Sequence, residues 1–73
     1  MAHERITTDP TVMYGKPVIR GTRITVEHVL RQLAAGASPD AIVKEYPRLS
    51  IEDIRAAQEF AADYLATDEI AFA

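Results

Sequence analysis

Lys16, Arg20 and Arg23 stand within eight residues of one another, in Gly15-Lys16-Pro17-Val18-Ile19-Arg20-Gly21-Thr22-Arg23-Ile24-Thr25-Val26. That segment holds two of the three glycines and three of the eight basic side chains, so charge and bends are concentrated together. Cationic side chains on turns beside a helix N-terminus suit a phosphate, because guanidinium groups and free backbone N–H groups both donate to it. A second reading has the same residues in a tight turn, its arginines paired with acidic groups of the fold or of a dimer mate. Both readings stand at this stage.

The other chemistry-bearing residues are sparser. Lys44 and Arg48 are the phosphate-contact candidates of the second half. Glu52 and Asp53 stand at a helix start, where the positive end of the helix dipole explains them better than acid–base chemistry does. Ser38 and Ser50 read as helix caps, and neither has the neighbouring base that nucleophilic catalysis requires. His3 and His28 are the only imidazoles and there is no cysteine, so no metal-ligand spacing exists. The reading is therefore a non-enzyme, with no catalytic residue, no metal and no cofactor.

Seventy-three residues make one domain, expected as strands and turns over 1–25, three helices over 26–66 and a tail over 67–73. Such a chain buries only about 60% of its unfolded surface, close to the limit for one core. It shows no leader pattern and no run near the ~20 apolar residues of a membrane span, so a cytoplasmic protein without a membrane partner is expected. The net charge of −3 is uneven: residues 1–34 carry five basic and three acidic side chains, residues 35–73 three basic and eight acidic. A sequence pI of about 5.2 lies far below the ~9 of dedicated nucleic-acid binders. The basic first half still leaves room for a local anion site.

The elements follow from apolar spacing. Arg5-Ile6-Thr7-Thr8 predicts a short strand, Asp9-Pro10 a turn, Val12-Met13-Tyr14 a second extended piece, Lys16-Pro17 a turn and Val18-Ile19-Arg20 a third strand. Val26, Val29, Leu30, Leu33 and Ala34 form one stripe of an amphipathic helix over 26–35, capped by Thr25 and stopped at Gly36. Ser38 and Pro39 open a second helix over 39–46, which Pro47 ends. Ser50 opens a third over 51–66, with Asp53 in place of the usual glutamate of a capping box and Leu49–Ile54 as a hydrophobic staple. The second and third helices have helix-turn-helix proportions.

The chain resembles the domain-of-unknown-function family 433. The likeness rests on Asp9-Pro10 after an isoleucine and on Gly15-Lys16-Pro17-Val18-Ile19-Arg20-Gly21-Thr22-Arg23-Ile24. It continues through Val26, Val29-Leu30, Ala35-Gly36-Ala37-Ser38, Tyr46-Pro47-Arg48-Leu49, Asp53-Ile54 and Ala56-Ala57. The resemblance implies a mainly α domain with short N-terminal β-strands, of the homeodomain-like three-helix class. It also implies a homodimer with N-terminal strands paired between subunits. In function it implies an antitoxin that neutralises a PIN-like ribonuclease toxin, or a helix-turn-helix repressor acting on its own promoter.

Site expectations follow from both lines. Strand fragments too small for a sheet put Val18 and Ile19 near a dimer interface. Phe60 and Tyr64 on the third helix, with Ile70 and Phe72 in the tail, are the expected partner-binding side chains. Lys16, Arg20, Arg23, Lys44 and Arg48 are the expected DNA-binding side chains.

Overall fold

A computed structural model describes residues 3–67. The chain is mainly α, with a short two-stranded sheet before three helices. The strands are β1 (Ile6–Thr7) and β2 (Val18–Ile19), and the helices α1 (Val26–Ala34), α2 (Pro39–Glu45) and α3 (Ile51–Thr67). β1 and β2 are antiparallel, with Ile6 opposite Ile19 and Thr7 opposite Val18. This pairing closes within one protomer.

Two of the N-terminal expectations are corrected. Of Val12-Met13-Tyr14 only Val12 is extended, at φ −119°, ψ 118° and bridged to Asp9; Met13–Gly15 forms a short 3-10 turn in which Met13, Tyr14 and Gly15 all have positive φ. The Asp9 side chain and carbonyl accept from Thr11 and Val12, and Gly15 and Lys16 donate back to Val12 and Met13. Those bonds close a tight turn that Asp9-Pro10 starts, so the extended piece stops at Val12. The bend expected at Lys16-Pro17 has moved upstream with it, and Lys16 is extended at φ −68°, ψ 149°.

The helices form where apolar stripe and cap agree. Thr25 Oγ1 accepts from the His28 backbone N–H, and Ser38 Oγ from that of Ala41. α1 ends in a Schellman motif: Ala37 N–H donates to the Gln32 carbonyl and Gly36 N–H to that of Leu33. Gly36 has φ +103°, a conformation L side chains resist.

At the start of α3 the capping box is complete despite its aspartate. Ser50 N–H donates to Asp53 Oδ2 at 3.0 Å, and Asp53 N–H to Ser50 Oγ at 3.2 Å. The other carboxylate oxygen of Asp53 accepts from Arg5 Nη1 at 3.0 Å, which ties the N-terminal segment to α3. Asp53 is only 8% exposed, so every contact it makes replaces lost water. Asp53→Ala is expected to destabilise the domain by roughly 1–3 kcal/mol, read as a lower midpoint in a thermal melt. Asp53→Asn should recover part of that loss.

The core lies where all three helices meet the sheet. Ile6, Ile19, Val29, Ile42, Leu49 and Ile54 are its largest buried members, and the staple pair Leu49–Ile54 is inside it. α2, the connection over 46–50 and α3 keep the order and proportions of a helix-turn-helix. Among the described residues no helix is long and apolar enough to cross a membrane.

Candidate functional site

The cationic segment is built on β2, the turn after it and the first turn of α1. Val18 bridges to Thr25 across that turn, so the N-cap of α1 is locked to the strand. Thr22 holds the bend. Its backbone N–H and hydroxyl both donate to the Ile19 carbonyl, and its hydroxyl accepts from Ile24 N–H. Gly21 has φ +80° with nothing crowding a built Cβ, so conformation rather than space demands glycine there.

The five expected DNA-binding cations separate into different roles. Lys16 Nζ lies 3.1 Å from Glu27 Oε1, and Arg31 Nε lies 3.0 Å from Glu27 Oε2. Arg20 Nε donates to the Glu4 carbonyl. Arg48 Nη2 donates to the Gly21 carbonyl at 2.8 Å, carrying its guanidinium across to the β2–α1 turn. Arg23 makes no hydrogen bond or ion pair among the described residues. Lys44, in the last turn of α2, is exposed.

Arg23 and Arg48 border a common space. They line one cleft of about 480 Å³ with Thr7, Thr8, Asp9 and Thr22. Hydrogen bonds from the Thr11 backbone and then its hydroxyl hold the Asp9 carboxyl below its ordinary range. Asp9 is thus an anion on the wall of an otherwise cationic cleft. Glu27 is likewise held low, first by its hydrogen bond from Lys16 and then by Arg31. A depressed carboxylate contributes stability above its unfolded pKa and loses it as pH falls through the folded one. In an NMR titration Glu27 is expected to protonate below an ordinary glutamate, and Lys16→Met should move it back up.

The second feature is apolar. Leu30 and Ala34 of α1 face Phe60, Ala61, Tyr64 and Leu65 of α3 across an open groove of about 820 Å³. Phe60 packs on the core beneath it and stacks on Tyr64, with ring centroids 6.4 Å apart. Tyr64 is 64% exposed and Leu65 58%. The groove thus contains both helix residues expected to bind a partner. It adds Leu65, the next residue of α3 after Tyr64. Ile70 and Phe72 lie outside the described residues.

Val18 and Ile19, expected near a dimer interface, are each 2% exposed within the single chain. The single chain's own core supplies that burial. The histidines sit in side-chain clusters. His3 Nε2 lies 3.1 Å from Asp63 Oδ2 and edge-on to Phe60, while His28 Nε2 lies 2.9 Å from the Tyr46 hydroxyl.

The family described as Protein of unknown function (DUF433) matches residues 6–61. The uncharacterized protein y4eO of Sinorhizobium fredii is 40% identical over 60 residues, which are 82% of this chain and 27% of that protein. A crystal structure of a DUF433 member protein from Anabaena variabilis has a TM-score of 0.80 and 30% identity, over 86% of this chain and 62% of that one. The chain thus spans less than two thirds of either relative.

Proposed function

The chain belongs to the DUF433 family, and on that footing we propose that it is the antitoxin of a toxin–antitoxin pair, binding a PIN-like ribonuclease and holding it inactive. The observation that supports this reading is the open apolar groove between α1 and α3, rimmed by Tyr64 and Leu65. Large exposed apolar patches on small domains mark protein interaction sites. Tyrosine is among the residue types enriched at binding hot spots, and Tyr64 supplies one on the groove's rim. The acidic second half complements the basic surface that an RNA-cleaving enzyme presents to its substrate. No catalytic role is assigned to any residue of this chain.

The test uses the product of the neighbouring reading frame, purified and assayed for RNA cleavage. Equimolar addition of this chain is expected to suppress cleavage and to give a complex by size-exclusion chromatography. No association at micromolar concentrations, or undiminished cleavage in the presence of a formed complex, would overturn the reading. A homodimer is part of the same proposal, and light scattering at tens of micromolar that gives the mass of one chain would remove it.

A second reading, repression of its own promoter through DNA contacts, is favoured by Arg23 and Arg48 opening on one cleft. The low pI argues that such binding is weak and local rather than the chain's dominant property.

A further inference from the structure

We propose that the cleft between the β2–α1 turn and the end of the α2–α3 connection is a phosphate site, formed by the guanidinium groups of Arg23 and Arg48 and by the backbone of the turn between them. Arg48 is already oriented, because one of its nitrogens is fixed on the Gly21 carbonyl and the remaining N–H groups stay available. Arg23 is the complement: an exposed side chain with no acceptor among the described residues, on the turn itself and lining the same cleft. Neither the Gly21 nor the Arg23 backbone N–H meets an acceptor among the described residues either. Two turn N–H groups, one on each side of Thr22, together with two guanidinium groups are donors suited to an oxyanion with several acceptor oxygens.

Charge admits an anion, and the donor set gives its chemical class. Two arginines and one aspartate leave the cleft at +1, and the Thr7 and Thr8 hydroxyls on its wall add neutral donors. A phosphate monoester or a row of backbone phosphodiesters suits two guanidinium forks and the turn N–H groups better than a carboxylate with two oxygens does, since it brings more acceptors. Asp9 opposes the ligand and sets how tightly the cleft binds. Lys16 and Arg20 lie outside this site, held by Glu27 and the Glu4 carbonyl. The inference rests on the promoter-binding reading only where nucleic acid is the source of the phosphate.

The full chain, labelled with ¹⁵N, is titrated with inorganic phosphate and separately with a promoter-fragment duplex at two salt concentrations. Phosphate is expected to shift the Gly21, Thr22 and Arg23 amides. Arg23→Gln, which removes no contact of the fold, should reduce the affinity about tenfold or more. Asp9→Asn keeps the acceptor for Thr11 and removes the opposing charge, so it should tighten binding roughly two- to tenfold. A gain of affinity is not what a merely structural Asp9 would give. Shifts with both probes assign the site to a nucleic-acid backbone, with a salt slope of about 0.9 per phosphate contact for the duplex. Shifts with phosphate alone assign it to a small phosphate compound and end the promoter reading. No shift at these amides with inorganic phosphate, or equal shifts in wild type and Arg23→Gln, would overturn the site.

Discussion

Val18→Asp is expected to abolish cooperative folding, not to release an otherwise intact monomer from a dimer. Val18 lies in β2, opposite Thr7 and bridged to Thr25, and is 2% exposed. A carboxylate placed there would lose its water without gaining a partner, at several kcal/mol. A single core in a chain this small rarely supplies more than about 3–5 kcal/mol, so the two terms are of equal size. Circular dichroism should show loss of the sigmoidal melt, and amide NMR signals should collapse into the unfolded range. Val18→Thr keeps the side-chain shape and buries only a hydroxyl, which costs about 1–3 kcal/mol. It is expected to fold with a lowered midpoint. A Val18→Asp protein that melts like wild type and only associates more weakly would return this side chain to an intersubunit surface.

That result bears on why the helices were legible in the sequence and the N-terminal third less so. Each helix carries its own signals within one or two turns: Thr25, Ser38 and Ser50 at the starts, Gly36 and Pro47 at the stops. Their observed bounds fall within one residue of those expected. Strand pairing is a relation between distant residues, and two residues per strand are too few for a periodicity to show. Burial of Val18 and Ile19 could be read from their type, but not whether one chain or two would supply it. The left-handed run at Met13 and Tyr14 has no propensity signal at all. These side chains ordinarily avoid positive φ, and the turn's hydrogen bonds around Asp9 hold them there.

The candidate site was legible by residue type and not by grouping. Arg20 and Arg23 are near neighbours in sequence, yet the structure places Arg23 and Arg48 on one cleft and leaves Arg20 on the Glu4 carbonyl. The contact of Arg5 with Asp53 spans 48 positions and had no local signature. Phe60 and Tyr64 were recognisable as a row on α3, but the opposite wall, Leu30 and Ala34, comes from the same stripe that builds the core-facing side of α1. An amphipathic pattern says that a face is apolar and leaves open how far the neighbouring helix covers it.

The Tyr64→Lys/Leu65→Lys double variant is expected to weaken binding of the ribonuclease partner roughly a hundredfold or more while leaving the fold intact. Both side chains are more than half exposed on the last turns of α3, so neither substitution opens a cavity. Lysine is a good helix former and a cation near a helix C-terminus is favoured by the dipole, which offsets part of the lost stacking of Tyr64 on Phe60, so a cooperative melt slightly below wild type is expected. Binding is different. Two anchors of the groove would be replaced by charges that a docked apolar partner surface must desolvate, and hot-spot truncations alone cost about 2 kcal/mol or more each. Phe60→Ala makes a poor substitute, since Phe60 also packs on the core and would mix stability with affinity. Calorimetric titration of the partner, run beside a thermal melt of the same preparation, separates the two quantities. Deleting residues 67–73 in a parallel protein measures the share carried by Ile70 and Phe72, and a combined variant shows whether groove and tail contribute independently. Native affinity in the double-lysine protein, with a cooperative melt, would show that the partner docks elsewhere, and the α1–α3 groove would then lose its role in neutralisation.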